Sequence, residues 1–144
     1  MAIKTSQVRQ AIRDQVLLVS GMHELPFPGE YIGRTQNSKA HKGFAVTVQT
    51  MNAKEDRQRR TVGYYLQTTA RVVFCHRLRP KDINSSLDNA LDLEEDIIVQ
   101  VLQSYATIRQ GIEIRYNRSV RTIDDTIEWI ISDSEFTIFH HTGV

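Results

Sequence analysis

The residues whose types and spacing could do chemistry fall into three groups. They are a basic run, Lys54, Arg57, Arg59 and Arg60; an acidic run, Asp88, Asp92, Glu94, Glu95 and Asp96; and five histidines. Cations at that density touch phosphates or the carboxylates of a partner protein. Glu55 and Asp56 interrupt the basic run, and no aromatic side chains interleave with it as single-strand binding requires. Phosphate contact, a protein interface and a solvated loop are all open to it. The acids share neighbouring turns of one helix, the arrangement of an acid–base pair or a divalent-cation site. Catalytic carboxylates need a desolvated pocket to tune their pKa values, and these lie mainly off the apolar stripe of that helix. The expectation is an exposed acidic face, solvated or facing another subunit. His140 and His141 are adjacent in a strand and point to opposite faces, while His23, His41 and His76 are scattered. With no Cys or carboxylate at a ligand spacing around them, they are expected to be polar surface or terminal residues, and no metal or other cofactor is expected. Cys75 is alone, so no disulfide within the chain can form, and its strand-like surroundings predict a buried apolar thiol. No Gly-x-Ser-x-Gly elbow or Walker loop occurs, and the expectation is not an enzyme.

The elements that must position these residues follow from periodicity. After Thr5 or Ser6, either a suitable N-cap, Val8, Ala11, Ile12, Val16 and Val19 recur at helical spacing, and Gly21 suits the closing left-handed position. Pro26 and Pro28 forbid further helix. Residues 22–43 then show no periodicity and read as a long loop, which in a compact domain usually contacts something. Phe44, Val46 and Val48 alternate as a strand. A polar connector, Met51 to Arg60, leads to a second, longer strand over Val62 to Leu78, with Leu66, Ala70, Val72, Phe74 and Leu78 on one face. The other face is mixed, as in a sheet covered on one side and wet or paired with a subunit on the other.

Pro80 ends that strand, and Asn84, Ser85 and Ser86 are candidate caps for a second helix. Its expected buried stripe is Leu87, Ala90, Leu91, Ile97, Ile98, Val101, Leu102 and Tyr105. Ile112, Ile114 and Tyr116 predict a third strand, with a turn near Asp124 and Asp125. In the last segment Ile127, Trp129 and Ile131 have one parity while Phe136 and Ile138 have the other. This predicts a final strand with a bulge near Asp133 and Ser134.

Taken together this is one α+β domain over residues 1–144, with an antiparallel or mixed sheet of about four strands and two main helices packed on one face. At 144 residues, 40% hydrophobic and 24% charged, the chain has enough apolar surface for one core. Its formal charge of +1 provides no global field to hold it on a polyanion. The start of the chain has no apolar leader, and no segment is apolar for the length of a bilayer span, so a cytosolic protein without a membrane partner is expected.

In order, the elements resemble those of the tail terminator, or tail completion, proteins of long-tailed bacteriophages. The likeness is carried by the first helix, the strand His41-Lys42-Gly43-Phe44-Ala45-Val46-Thr47-Val48 and the connector ending Arg57-Gln58-Arg59-Arg60. It continues through Val72-Val73-Phe74, the Arg79-Pro80-Lys81-Asp82 turn, the helix Leu87 to Leu102 and the closing Phe136-Thr137-Ile138-Phe139. It covers nearly the whole chain and rests on pattern rather than on any invariant signature. The resemblance implies a ring-forming protomer, assembled in the host cytoplasm into a six-fold homo-oligomer of the virion's tail-neck region. Such a ring caps the tail tube protein, meets a head-side connector protein and surrounds DNA without reading its sequence. Ring closure needs two unlike, complementary surfaces on each subunit. Arg34, Lys39, Lys54, Arg57, Arg59 and Arg60 become the candidate assembly or DNA-channel contacts. Another neck component, such as a connector or stopper, and a small ligand-binding α+β domain are the alternative readings.

Overall fold

The computed structural model describes residues 3–25, 42–53, 64–108, 113–123 and 128–142. The elements in chain order are α1 (Thr5–Leu17), β1 (His23–Glu24), β2 (Lys42–Ala53), β3 (Tyr64–Arg77), a 3-10 turn (Pro80–Asp82), α2 (Ile83–Ile108), β4 (Glu113–Ile123) and β5 (Trp129–Thr142). The fold is α+β. Among the described residues its mixed sheet has five strands in the order β1-β2-β3-β5-β4, not about four, because His23 and Glu24 pair in parallel with Gly43 and Phe44. These two residues were expected to lie in an irregular loop, since a two-residue strand is too short to show any period. Leu25 extends the pairing, its N–H donating to the Phe44 carbonyl at 2.7 Å. Its side chain sits so close to Gly43 that a Cβ there would lie 2.6 Å from Leu25 Cδ2.

The cap of α1 lies one residue before Thr5, the first of the expected candidates. Lys4 occupies that position, and its N–H donates to Gln7 Oε1 at 2.9 Å. The helix stops at Leu17, and Gly21 takes φ 81° in the turn that follows, the left-handed geometry anticipated for it. α2 begins at Ile83, so the serines expected to cap it lie inside. Ser86 instead accepts the Arg79 N–H at 3.2 Å and ties the first turn back to the end of β3.

Both helices pack on one face of the sheet. Val8, Ile12 and Val16 of α1 and Leu93, Ile97 and Val101 of α2 close over Phe44, Val46, Ala70, Val72, Phe74, Phe136 and Ile138. Burial of this apolar surface is the main driving term of the fold. The stripe of α2 is rotated from the expected one. Leu91 and Leu102 are each 39% exposed, while Leu93, Glu94 and Ser104 are buried. The turn expected near Asp124 lies outside the described residues, as does the side chain of Tyr105.

β5 does not change parity. It pairs with β3 in unbroken register from Trp129 to Thr142, and no bulge occurs at Asp133 or Ser134. Trp129 and Ile131 belong to the face away from the helices, where they pack with Cys75 and Leu25. Phe136 and Ile138 belong to the helix face. The irregularities are instead in β4, between Tyr116 and Arg118, and in β2, between Val48 and Thr50.

Candidate functional site

Arg34, Lys39, Lys54, Arg57, Arg59 and Arg60 all lie outside the described residues. What the structure positions is a set of polar constellations on the sheet and its edges. The most enclosed joins α2 to β4. Glu94, 2% exposed, accepts from Arg121 Nε at 2.7 Å and also meets Arg121 Nη2 and the Ser132 hydroxyl. The acidic run is therefore not uniformly exposed: Asp88, Asp92, Glu95 and Asp96 are on the surface, and Glu94 is inside. Its position four residues after Ala90 and three before Ile97 was a legible signal, since that spacing places it on the core-facing row. The β4 bulge completes the arrangement. Before it Ile114 and Tyr116 face the helices; after it Ser119 and Arg121 do, opposite Ser134 and Ser132. Without the extra residue, Arg121 would point away from Glu94.

Near the start of β3, Thr68 and His140 form a second buried pair, so His140 is not the surface residue expected of it. His140 Nε2 lies 2.8 Å from Thr68 Oγ1, and Nδ1 lies 3.1 Å from the Ile3 carbonyl. Together with the Ile3 N–H donating to the His141 carbonyl at 2.7 Å, this fastens the segment before α1 to β5. Burial lowers the His140 pKa from its ordinary 6.5, so the ring is held neutral. Cys75 is fully buried and its pKa is raised to about 11, by burial above all, against a smaller opposing contribution from the Gly43 carbonyl contact. A thiol in that state is a poor nucleophile, in keeping with the apolar role expected for it.

The face away from the helices carries a ladder of opposite charges. Arg71 forms a two-pronged pair with Asp133, with Nε to Oδ1 at 2.9 Å, and Arg118 Nε lies 3.9 Å from Glu135. Asn117, the bulged residue, donates to Glu135 Oε2 at 3.1 Å and Thr137 Oγ1 at 2.7 Å. Arg115 spans from Glu113, at 2.8 Å, to the Phe139 ring, 5.2 Å from its centroid. Each of these arginines has an anionic partner, so the ladder presents paired charge rather than a basic patch.

A cleft of about 520 Å³ opens between the end of α1 and the first half of α2. Its lining mixes His76, Arg77 and Arg79 with Asp82, Asn89, Asp92 and Asp96. A lining of both signs selects neither an anion nor a cation. Among the described residues no three His, Cys, Asp or Glu side chains are grouped to hold a metal ion, and no helix is long and apolar enough to cross a membrane.

The two edges of the sheet differ in kind. At one, β1 covers the start of β2, and Arg9 of α1 donates from Nη1 to the Val46 carbonyl at 3.4 Å. At the other, β4 has only β5 as a partner among the described strands, and its side chains are largely exposed. No family model matches the chain, and no curated protein matches it.

Proposed function

We propose that this chain is a structural virion protein that forms a ring, caps a phage tail tube and offers the surface for head-to-tail joining. The observation that carries the reading is the unlikeness of the two sheet edges. One is closed by β1 and backed by α1; the other is β4, backed by α2. A subunit with two unlike sides is what head-to-tail closure of a ring requires, whereas a two-fold dimer uses one side twice. The order of elements resembling tail terminators supports the same reading, as does a core of stabilising contacts with the polar groups spent on holding strands in place.

Light scattering over a range of concentrations tests ring formation, and a chain that stays monomeric and does not bind tail tubes overturns it. Removing the protein from an assembling phage separates terminator from connector. Overlong tails are expected for a terminator, and tails of normal length left unattached would assign the chain to another neck role. Neutralising Arg57, Arg59 and Arg60 together is expected to lower the yield of complete particles without unfolding the subunit.

A further inference from the structure

We propose that the segment before α1 is a latch opened by acid: protonation of His140 frees Ile3 from β5 while the sheet and both helices stay folded. The latch does not depend on ring formation. Three hydrogen bonds close it. The Ile3 N–H donates to the His141 carbonyl at 2.7 Å, the Ile3 carbonyl lies 3.1 Å from His140 Nδ1, and Thr68 Oγ1 lies 2.8 Å from His140 Nε2. A carbonyl can only accept, so Nδ1 carries the proton of the neutral ring and Nε2 is bare. Thr68 therefore donates its hydroxyl proton to Nε2. Both ring nitrogens are used, and the ring is fully buried.

A proton taken from solvent can go only to Nε2. There it meets the Thr68 hydroxyl, which must give up its donated bond and turn. The ring becomes an imidazolium, and no described carboxylate stands beside it. The segment before α1 brings Lys4, and Arg9 of α1 is engaged with the Val46 carbonyl. β5 brings His141, whose charge opposes a second one. Leu66 and Thr68 of β3 are uncharged, as are residues 48–53 of β2 and 97–108 of α2. Glu113 of β4 lies opposite Phe139, on the face away from the helices. Burial thus lowers the pKa of the ring by more than the Ile3 and His141 backbone contacts raise it. An opening that lets water reach the ring restores the ordinary 6.5, so protonation favours the open form.

What opens is decided by what holds each neighbour. His140 cannot move alone, because β5 is paired with β3 in unbroken register from Trp129 to Thr142. Thr68 is inside β3, paired with Met51 on one side and Ile138 on the other. Ile3 precedes α1 and is fastened to β5 by its own N–H and carbonyl alone. The Lys4 N–H is held by Gln7 Oε1 in the cap of α1, so the helix need not unwind when Ile3 lifts. The cost is the contact of the partly buried Ile3 side chain with the core. Water then takes the place of the Ile3 carbonyl at Nδ1.

The test is NMR on the isotope-labelled full chain. At neutral pH the ring nitrogens of His140 are expected to report the Nδ1–H tautomer. Between about pH 7.5 and about pH 5, protection of the Ile3 amide against hydrogen exchange is expected to fall in step with titration of the His140 ring, by at most about 30-fold, the limit set by an open ring of ordinary pKa. The amides of Ile12 and Ile97 are expected to keep their protection. His140→Asn retains an N–H in place of Nδ1–H and takes up no proton, so Ile3 protection in that variant should not vary with pH. Should the variant not fold, the comparison of Ile3 with Ile12 and Ile97 in the unaltered chain decides. The latch is overturned by an Nε2–H tautomer, by Ile3 protection that stays constant down to about pH 5, by loss of protection at Ile3, Ile12 and Ile97 together, or by the same fall in His140→Asn. None of these results bears on whether the chain forms a ring.

Discussion

Strand β5 shows two different ways of covering a sheet within one unbroken register. Its even-numbered residues, from Ile130 to His140, lie beneath the helices, where Phe136 and Ile138 are fully buried and Ser132 is closed over by Glu94. Among the described residues no helix lies above its odd-numbered residues. Trp129 is covered by Leu25, Asp133 by Arg71, and Phe139 by Arg115. The first face draws its stability from apolar burial against separate elements. The second is sheltered by side chains of neighbouring strands, whose long stems lie along the surface while their charged ends pair. A face can therefore have low exposure without being a large source of stability.

The largest effect that sharpens this contrast is expected from Phe136→Ala, which should cost about 3–5 kcal/mol by urea unfolding, as deletion of a fully buried ring in a packed core does. Glu94→Ala should follow at about 2–3 kcal/mol, because it removes charge-assisted hydrogen bonds and strands the Ser132 hydroxyl; Arg121, partly exposed, can be hydrated instead. A loss below that of an ordinary surface substitution would mean that α2 is not locked to β4 by this contact.

The next effect is one of pH. His140 is neutral in the fold, with its pKa lowered by burial, while the unfolded chain has the ordinary 6.5. Its contribution is complete above that value and is lost as pH falls toward the folded pKa, since the unfolded state then binds more protons. Unfolding midpoints should fall between neutral and mildly acidic pH, and His140→Gln should flatten that part of the profile.

On the other face Arg71→Ala is expected to cost about 1 kcal/mol or less, its side chain being 25% exposed and its pair with Asp133 screened by solvent. A loss as large as that of Phe136→Ala would abolish the distinction between the faces. Smallest of all should be Leu91→Ala, within about 0.5–1 kcal/mol for the isolated subunit, because the side chain is already 39% exposed.

Much of the fold was legible in local pattern. The α1 row Val8, Ile12 and Val16, the β3 row Ala70, Val72 and Phe74, and the buried thiol of Cys75 are all where their periodicity placed them. The failures have a common cause. Glu94 belongs by type to the acidic face and Leu91 and Leu102 to the core, yet helix geometry buries the first and leaves the other two 39% exposed. In β5, Ser132 under Glu94, Ser134 beside Ser119 and Trp129 under Leu25 reverse the usual polarity of the two faces, which imitates a bulge. The candidate basic residues lie outside the described segments, so the structure neither gathers nor separates them.

The sequence by itself determined the α+β class, the order of the main helices and strands, and the single core, since these depend on periods of 3.6 and 2 that adjacent residues carry. Only the tertiary structure decided the partner of β1, the site of the bulge and the burial of Glu94. Each depends on which side chain from a distant part of the chain arrives opposite: Phe44 opposite Glu24, Ser134 opposite Ser119, and Arg121 beside Glu94. A local pattern sets what a residue can pack against, and the paired strands and docked helices determine what is there.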